Sequence, residues 1–479
     1  MAEPIVPGLV IDGFRVAERI HVGAQSEIFR VSGPAHDFPI IMKVPRIGPL
    51  EPSENLISFE TEAIILPAVT GPHVPRFVAA GDLAKTPYLI TEWIEGESLE
   101  SALSPGPLPP PEVARIGAAI ADAVHSLHRQ NAIHLDIKPD NIIVKAQDGV
   151  VLIDFGLAHH ARFPDLLAEE KRFAAGSAPY VSPEQVLGTR SDRRSDIFAV
   201  GVVLYEMATA RLPFGMPATM AGLRDRLWLD PVPPRTVSPE VPPWLQEVIL
   251  RCLEPRADDR YQSAAHVAFD LRHPEQVALT GRALKSGRLG FLAQLRRWWH
   301  ARSERLRIVP AVQRSAAPII MVAVDTTHPD DPRQRPMQRA TAQVLSLSAE
   351  FRLVCVSVIH GGPRAEISRD VQGESGIHLE HLIRLRHWVE PLQLPAQRLS
   401  MHVIESARPE NALLEFARRN HVDLIILGAP GPTQQAPLAW WRSVASTVTA
   451  NAHCSVHLVR VPEPQPSPGP EGDSTPDQA

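Results

Sequence analysis

The sequence predicts an α+β region of two lobes, followed by an α/β region built on an open parallel sheet. Three observations predict this. From Ile11 to about Ile94, short apolar runs are broken by turns, with a single helical interruption. From the run after Pro111 to about Leu271, helical periodicity takes over. From Pro318 onward, apolar runs of strand length alternate with helix-like stretches, the pattern of a parallel sheet covered on both faces.

In the first region "EIFRV", "FPIIMKV" and "PYLITEWI" read as strands from their β-branched and aromatic content. "SENLISFETEAIILPAV" reads as the helix among them, with Leu56, Phe59, Ala63 and Leu66 near helical spacing and Ser53 or Asn55 as its cap. "PGPLPPPE" (Pro105–Glu112) and "DPVPPRTVSPEVPP" (Asp230–Pro243) read as neither helix nor central strand, because proline lacks the amide hydrogen that both require. "EVARIGAAIADAVHSLHRQ" is an amphipathic helix with Val113, Ile116, Ile120, Ala123 and Leu127 on one stripe. Short strands, "IIV" and "VVLID", follow the stretch "HLDIKPDN".

Residues 276–315 are Arg-rich, with Phe291, Leu292, Trp298 and Trp299 interleaved. They read as a basic linker that forms an amphipathic helix, either packed on a neighbouring domain or touching a membrane surface or regulator. Beyond them "PIIMVAVD", "FRLVCVSVI", "LSMHVIES", "VDLIILGA" and "SVHLVRV" are the strand candidates. Helix-like stretches lie near 336–350, 377–392, 409–420 and 442–452. The tail 463–479, rich in proline and polar residues, has little to bury and is expected to be disordered.

Bulk composition narrows the class. A chain of 479 residues implies two or three domains, and 44% hydrophobic residues suffice for their cores. A net charge of −6 speaks against a nucleic-acid binder. Cys252, Cys355 and Cys454 are far apart with no CxxC pair, which suits a reducing, cytoplasmic location rather than a disulfide framework or zinc site. The start "MAEPIVPGLV" lacks the marks of a signal peptide, and no apolar run approaches the ~18 residues of a spanning helix.

Chemistry concentrates in "HLDIKPDN", His134 to Asn141. Phosphoryl transfer needs phosphates held, a metal placed and an acceptor hydroxyl aligned. Asp136 can accept the hydroxyl proton, Lys138 can neutralise the moving phosphoryl group, and Asn141 offers an amide oxygen to Mg2+. In "IDFG", Asp154 follows a strand and precedes Gly156, and can supply a carboxylate to the same metal.

With these motifs in order, residues 14–275 resemble a protein kinase of the bacterial Ser/Thr type, which implies the α+β bilobal protein kinase fold, ATP as donor and protein substrates. The resemblance implies that Lys43 in "IIMK" serves the phosphates and that Glu62 in "FETEAIIL" pairs with it. It also implies that Thr91 gates the deep pocket, that the backbone of Glu92 and Ile94 contacts adenine, and that Ser182, Pro183 and Glu184 close the activation segment. Arg260 is then the ion-pair partner of Glu184, Asp196 holds the catalytic loop, and His134 is a core histidine rather than a base.

Two departures from the family pattern matter. In "IHVGAQSEIFRV" only Gly23, the central glycine, remains of the expected G-x-G-x-x-G; His21 and Ser26 replace the outer two. Leu135 stands where many relatives carry an Arg that orders a phosphorylated activation segment. Between Asp154 and Glu184 the Ser and Thr residues are Ser177 and Ser182 alone, both in positions with family roles of their own. Reader and mark are both missing, so phosphorylation of the upstream segment is not expected to switch this kinase on. The competing reading, drawn from the altered glycine loop, is a catalytically weak pseudokinase that acts as a nucleotide-responsive scaffold.

Residues 316–462 resemble a universal stress protein domain, which implies a flavodoxin-like, adenine nucleotide alpha hydrolase-like α/β fold. By that resemblance Asp325, Gly428, Gly431 and Ser443 are the nucleotide candidates. Arg442 stands where the family's next glycine would be, and Trp440 and Trp441 crowd the same place. The domain is therefore read as either a nucleotide sensor or a partner-binding module, homodimerisation included.

Overall fold

The structure is a computed structural model that describes residues 5–33, 36–47, 54–83, 85–146, 149–170, 176–217, 219–287, 317–328, 331, 334–347, 350–359, 374–429 and 443–460. Its chain separates into two compact units, one centred on the first region and one on the last. The basic helix expected after residue 287, the tail from 463, Ser53, Gly431 and Trp440–Arg442 lie outside the described residues.

In the first unit a six-stranded antiparallel sheet runs in the order β1 (Val10–Ile11), β2 (Phe14–Val22), β3 (Ser26–Ser32), β4 (Ile40–Pro45), β6 (Leu89–Glu92), β5 (Phe77–Ala80). Side chains alternate across a strand, and here the alternation sorts structure from function. Phe14 and Val16, Phe29 and Val31, Ile40 and Met42, Tyr88 and Ile90 form a buried cluster on one face. The intervening positions Ile28, Ile41, Lys43, Leu89 and Thr91 line a cleft on the other. Helix α1 (Glu54–Ile65) presents Glu54, Ser58 and Glu62, spaced one turn apart, to the same cleft. Asn55 is not its cap. It lies inside the helix, buried, and donates its side-chain amide to the Arg46 carbonyl.

The short strand β7 (Glu97–Ser98) and helix α2 (Leu99–Leu103) lead to α3 (Pro110–Arg129) of the helical lobe. The stripe Val113, Ile116, Ile120, Ala123 and Leu127 is buried as its spacing predicts. The proline run does enter this helix: α3 begins at Pro110. The second run contains α8 (Pro234–Val237) and the start of α9 (Pro243–Cys252), so both proline readings are corrected. Each helix opens on its proline, where the missing N–H is one that the first turn would leave unpaired anyway.

Between α3 and α8 lie β8 (Ala132–Ile133), β9 (Ile142–Val144), β10 (Val150–Leu152), β11 (His159–His160), α4 (Leu166–Glu170), α5 (Pro183–Val186), α6 (Arg194–Thr209) and α7 (Met220–Arg224). Helix α10 (Ala264–Arg272) follows α9 and packs on α3. Residues 280–285, early in the expected linker, lie on the helical lobe: the Thr280 and Ala283 amides donate to Glu247, and Arg282 pairs with Glu247 and Glu254.

The second unit is a five-stranded parallel sheet in the order β14 (Leu399–Glu405), β13 (Arg352–Ile359), β12 (Ile319–Ala323), β15 (Leu424–Gly428), β16 (Ser455–Val459). Its helices are α11 (Gln334–Ser346), α12 (Glu374–Val389), α13 (Pro409–Arg419) and α14 (Val444–Asn451). Met321, Val354, Val356 and Ile425 meet Leu413, Phe416 and Val448 of α13 and α14. The alternate residues Val322, Leu353 and Cys355 are equally buried, so both faces are covered. No helix among the described residues is long and apolar enough to cross a membrane.

Candidate active site

A cleft of about 1290 Å3 opens between the strand-rich and helical lobes. Lys43 reaches into it from β4 and donates to Glu62 Oε2 at 2.6 Å and to Asp154 Oδ1 at 2.9 Å. The other Glu62 oxygen accepts the Phe155 amide at 3.2 Å, so α1 is tied both to the lysine and to the chain beyond Asp154. Burial alone would lower the Lys43 ammonium; Asp154 and Glu62 outweigh it and hold the group above its usual range. Burial would likewise raise the Asp154 carboxyl, but Lys43 brings it down to about 2.

The loop between β8 and β9 carries the next set. Asp136 Oδ1 accepts the backbone N–H of Ser177 at 2.9 Å. Asn141 Nδ2 donates to the Asp136 carbonyl at 2.9 Å and to its Oδ2 at 3.1 Å, while Lys138 Nζ stands 3.6 Å from Oδ2. Ser177 thus meets Asp136 through its backbone amide. Asp136, Lys138, Asn141 and Asp154 all line the cleft, as do Gly23, Thr91, Glu92 and Ile94. Glu184 and Arg260 form the expected pair at 2.7 Å, and all five guanidinium N–H groups of Arg260 find acceptors.

Two residues of this machinery hold backbone that only glycine adopts freely. Leu135 has φ 62° and Asp154 φ 65°, conformations that cost a residue with a side chain about 1–3 kcal/mol. The Leu135 conformation is over-determined by its neighbours. Asp196 accepts the amides of His134 at 2.9 Å and Leu135 at 2.8 Å, and Gln185 donates to the Leu135 carbonyl at 2.9 Å. His128 completes the shell of Asp196 at 2.8 Å. Burial pushes the Asp196 carboxyl up, but these donors hold it below its ordinary value. His134 is fully buried, with Nε2 on the Ile153 carbonyl at 3.1 Å and its ring against Phe155, which makes it a wall of the core.

His128, Gln185, Arg190 and Arg226 were not legible from the sequence. The latter two arginines are almost entirely buried and serve carbonyls of the segment between Asp154 and Glu184. Their partners lie tens of residues away, so no short spacing announces them.

The donor chemistry suits a hard cation. Among the described residues no group of three or more His, Cys, Asp or Glu side chains forms a metal cluster. Asp154 and Asn141 both line the cleft and bring a carboxylate and an amide oxygen, donors of the kind a hard cation takes.

In the second unit Asp325 follows β12, and the register places Gly428, at the end of neighbouring β15, level with Val324. Ser443 caps α14 by accepting the Ser446 amide at 3.1 Å. Strand order reverses at β12, so Asp325 and Gly428 share the carboxyl edge where open α/β sheets bind ligands. Asp325 accepts the Thr327 amide at 3.0 Å and faces His328 at 3.1 Å. Burial raises its carboxyl, but these donors prevail and keep it below its ordinary value.

The two-lobed fold thus carries a lysine that bridges two acids, above a loop that fixes a third. Residues 14–270, more than half of the chain, match the protein kinase domain model, and the chain belongs to the protein kinase family. Residues 318–460 match the model of the universal stress protein family. Among similar curated proteins, a probable serine/threonine-protein kinase of Clostridium acetobutylicum is 28% identical over 54% of this chain and 39% of its own length. Serine/threonine-protein kinase PknB of Mycolicibacterium smegmatis is 30% identical over 55% of this chain and 43% of its own. The chain thus spans about two-fifths of these relatives. The crystal structure of the Mycobacterium tuberculosis PknI kinase domain aligns over 56% of this chain and 99% of its own, with 20% identity and a TM-score of 0.46.

Proposed function

We propose that this chain is a serine/threonine protein kinase that transfers the γ-phosphoryl group of ATP to protein hydroxyls. The observation that carries this reading is the assembled set: Lys43 on Glu62 and Asp154, with Asp136 fixed by Ser177 and Asn141, around an open cleft. In the proposed reaction the acceptor oxygen bonds to the γ-phosphorus, the bridging oxygen bond breaks, and ADP leaves. Asp136 takes the hydroxyl proton, Lys43 and Lys138 hold phosphate charge, and Gly23 lets backbone approach the phosphates. The Glu92 carbonyl and Ile94 amide hold the adenine. Asn141 and Asp154 are the proposed ligands for magnesium, which when bound neutralises charge on the phosphates.

The altered glycine loop does not favour the pseudokinase reading, because the rest of the set is complete and its cleft is open. The test is radiolabelled ATP with magnesium and a general protein acceptor. Asp136→Asn should lower transfer by about 10²–10⁴-fold, and Lys43→Ala should do likewise. Transfer that survives both substitutions would overturn the proposal.

For the second domain we propose nucleotide sensing or partner binding, in signalling or stress response, with Asp325, Gly428, Gly431 and Ser443 as the nucleotide site and a homodimer as one partner arrangement. A cytoplasmic location accords with the cysteine usage. Equilibrium binding of ATP to a Lys43→Ala, Asp154→Asn chain tests the nucleotide role. Residual saturable binding that Asp325→Ala abolishes supports it, and none at millimolar ATP refutes it.

A further inference from the structure

Leu135, buried in the core, cannot itself pair with a phosphorylated segment. A guanidinium from elsewhere does comparable work. Arg190, between α5 and α6, donates Nε–H to both oxygens of Asp165, at 3.0 and 2.9 Å. Its Nη2 donates to the carbonyls of Leu157 at 2.8 Å and Ala158 at 3.3 Å. Asp165 also faces His159 Nδ1 at 3.2 Å and accepts the Ala168 amide at 3.0 Å, at the start of α4. The two side chains are 9% and 10% exposed, so the pair is shielded from salt. Burial would push the Asp165 carboxyl up; Arg190 and His159 reverse this and hold it far below its usual range, so it stays ionised.

The pair connects to the catalytic lysine through packing. Leu166 and Leu167 of α4 form one apolar cluster with Ile57 of α1, and Leu157 and Ile64 close it. Helix α1 carries Glu62, the partner of Lys43. A fixed carboxylate in the segment and a fixed guanidinium outside it therefore seat α4 against the helix that positions the phosphate lysine.

We propose that Asp165 and Arg190 are positioning residues, a permanent ionic latch encoded where other segments need an added phosphate, which keeps Glu62 on Lys43 without phosphorylation. This inference rests on the kinase reading above. Ser182, fully buried and capping α5, and Ser177, whose amide holds Asp136, are poor sites for an activating mark.

The experiment uses the full chain after phosphatase treatment, with steady-state kinetics and hydrogen exchange read by mass spectrometry. Phosphatase should leave the rate unchanged. Asp165→Asn and Arg190→Met should each lower kcat about tenfold with the KM for ATP little changed, and the double variant should lose no more than either single one, because the two act as a unit. Exchange should quicken across 157–170 and 54–65 in every variant and stay as in the parent across α6 and α9, which monitors the fold. A rate that falls on dephosphorylation, multiplicative losses in the double variant, or unchanged exchange at 54–65 would each overturn the latch. If the parent transfers no phosphate, the kinase reading fails, while the exchange data still decide whether the pair seats α1.

Discussion

Lys43 holds two acids together, Glu62 buried and Asp154 partly exposed, and this has a pH signature. Asp154 sits near 2 against an ordinary 3.8. A depressed value in the folded protein means that the pair's contribution is present above the ordinary value and is lost as pH falls through about 2. Glu62 already stands above its ordinary value, because burial outweighs Lys43, and without the ammonium both it and Asp154 move up. Folding then weakens as pH rises and forces charge onto them. The gap in unfolding temperature between the parent and Lys43→Met should therefore widen as pH is raised from roughly 3 to roughly 7; a constant gap would contradict it. At this scale the sequence was most legible where function needs close offsets: Asp136, Lys138 and Asn141 lie in one loop. It was silent where a single side chain gathers distant backbone, as Arg190 does with Leu157 and Ala158, because nothing local constrains such a partner.

Two elements show how packing sets what a position tolerates. The hairpin between β2 and β3 turns at Gly23, whose amide bonds the Ser26 carbonyl at 2.9 Å. A Cβ at Gly23 would meet that carbonyl at 3.3 Å and His21 Nε2 at 3.4 Å. The His21 ring thus lies beside the backbone proposed to approach phosphate, and both residues line the cleft. His21→Gly should lower the KM for ATP several-fold with little change in kcat, measured by initial rates; an unchanged KM would mean that the tip does not touch phosphate. Deeper in the helical lobe, Gly201 of α6 lets α9 approach, because a Cβ there would come within 2.5 Å of the Cys252 Cβ. That neighbour cannot rotate away, so Gly201→Ala should cost about 1–3 kcal/mol, seen as a lower denaturation midpoint. Periodicity revealed α3 and most strands, since burial on one face leaves a regular imprint. The proline runs misled because a residue that breaks a helix interior also opens a helix well.

At the scale of the molecule, the two units were legible from the switch between antiparallel patterning with long helices and strict strand–helix alternation. The edge of the first unit was not, because its last contacts are polar and irregular. Sequence similarity to the kinase domain model stops at 270, yet the chain stays on the helical lobe beyond it. Gln246 donates to the carbonyls of Arg282, Ala283 and Lys285 at 2.8, 3.2 and 3.0 Å. Glu247, only 2% exposed, accepts from the Thr280 and Ala283 amides, each at 3.0 Å, and from Arg282 at 3.2 Å. Lys285 pairs with buried Asp230. A chain cut after residue 275 keeps all the proposed catalytic residues but strips Glu247 of these partners inside the lobe. Uncompensated buried charge of this kind costs about 3–5 kcal/mol, and the partial exposure of Arg282, 26%, places the loss toward the lower figure. A chain cut after 287 retains every one of these contacts. Side by side, the longer piece should unfold at a distinctly higher temperature and denaturant concentration, and Glu247→Gln should recover part of the deficit in the shorter piece while costing stability in the longer one. Equal unfolding of the two pieces would show that residues 276–287 only rest on the lobe and that its stability is complete without them.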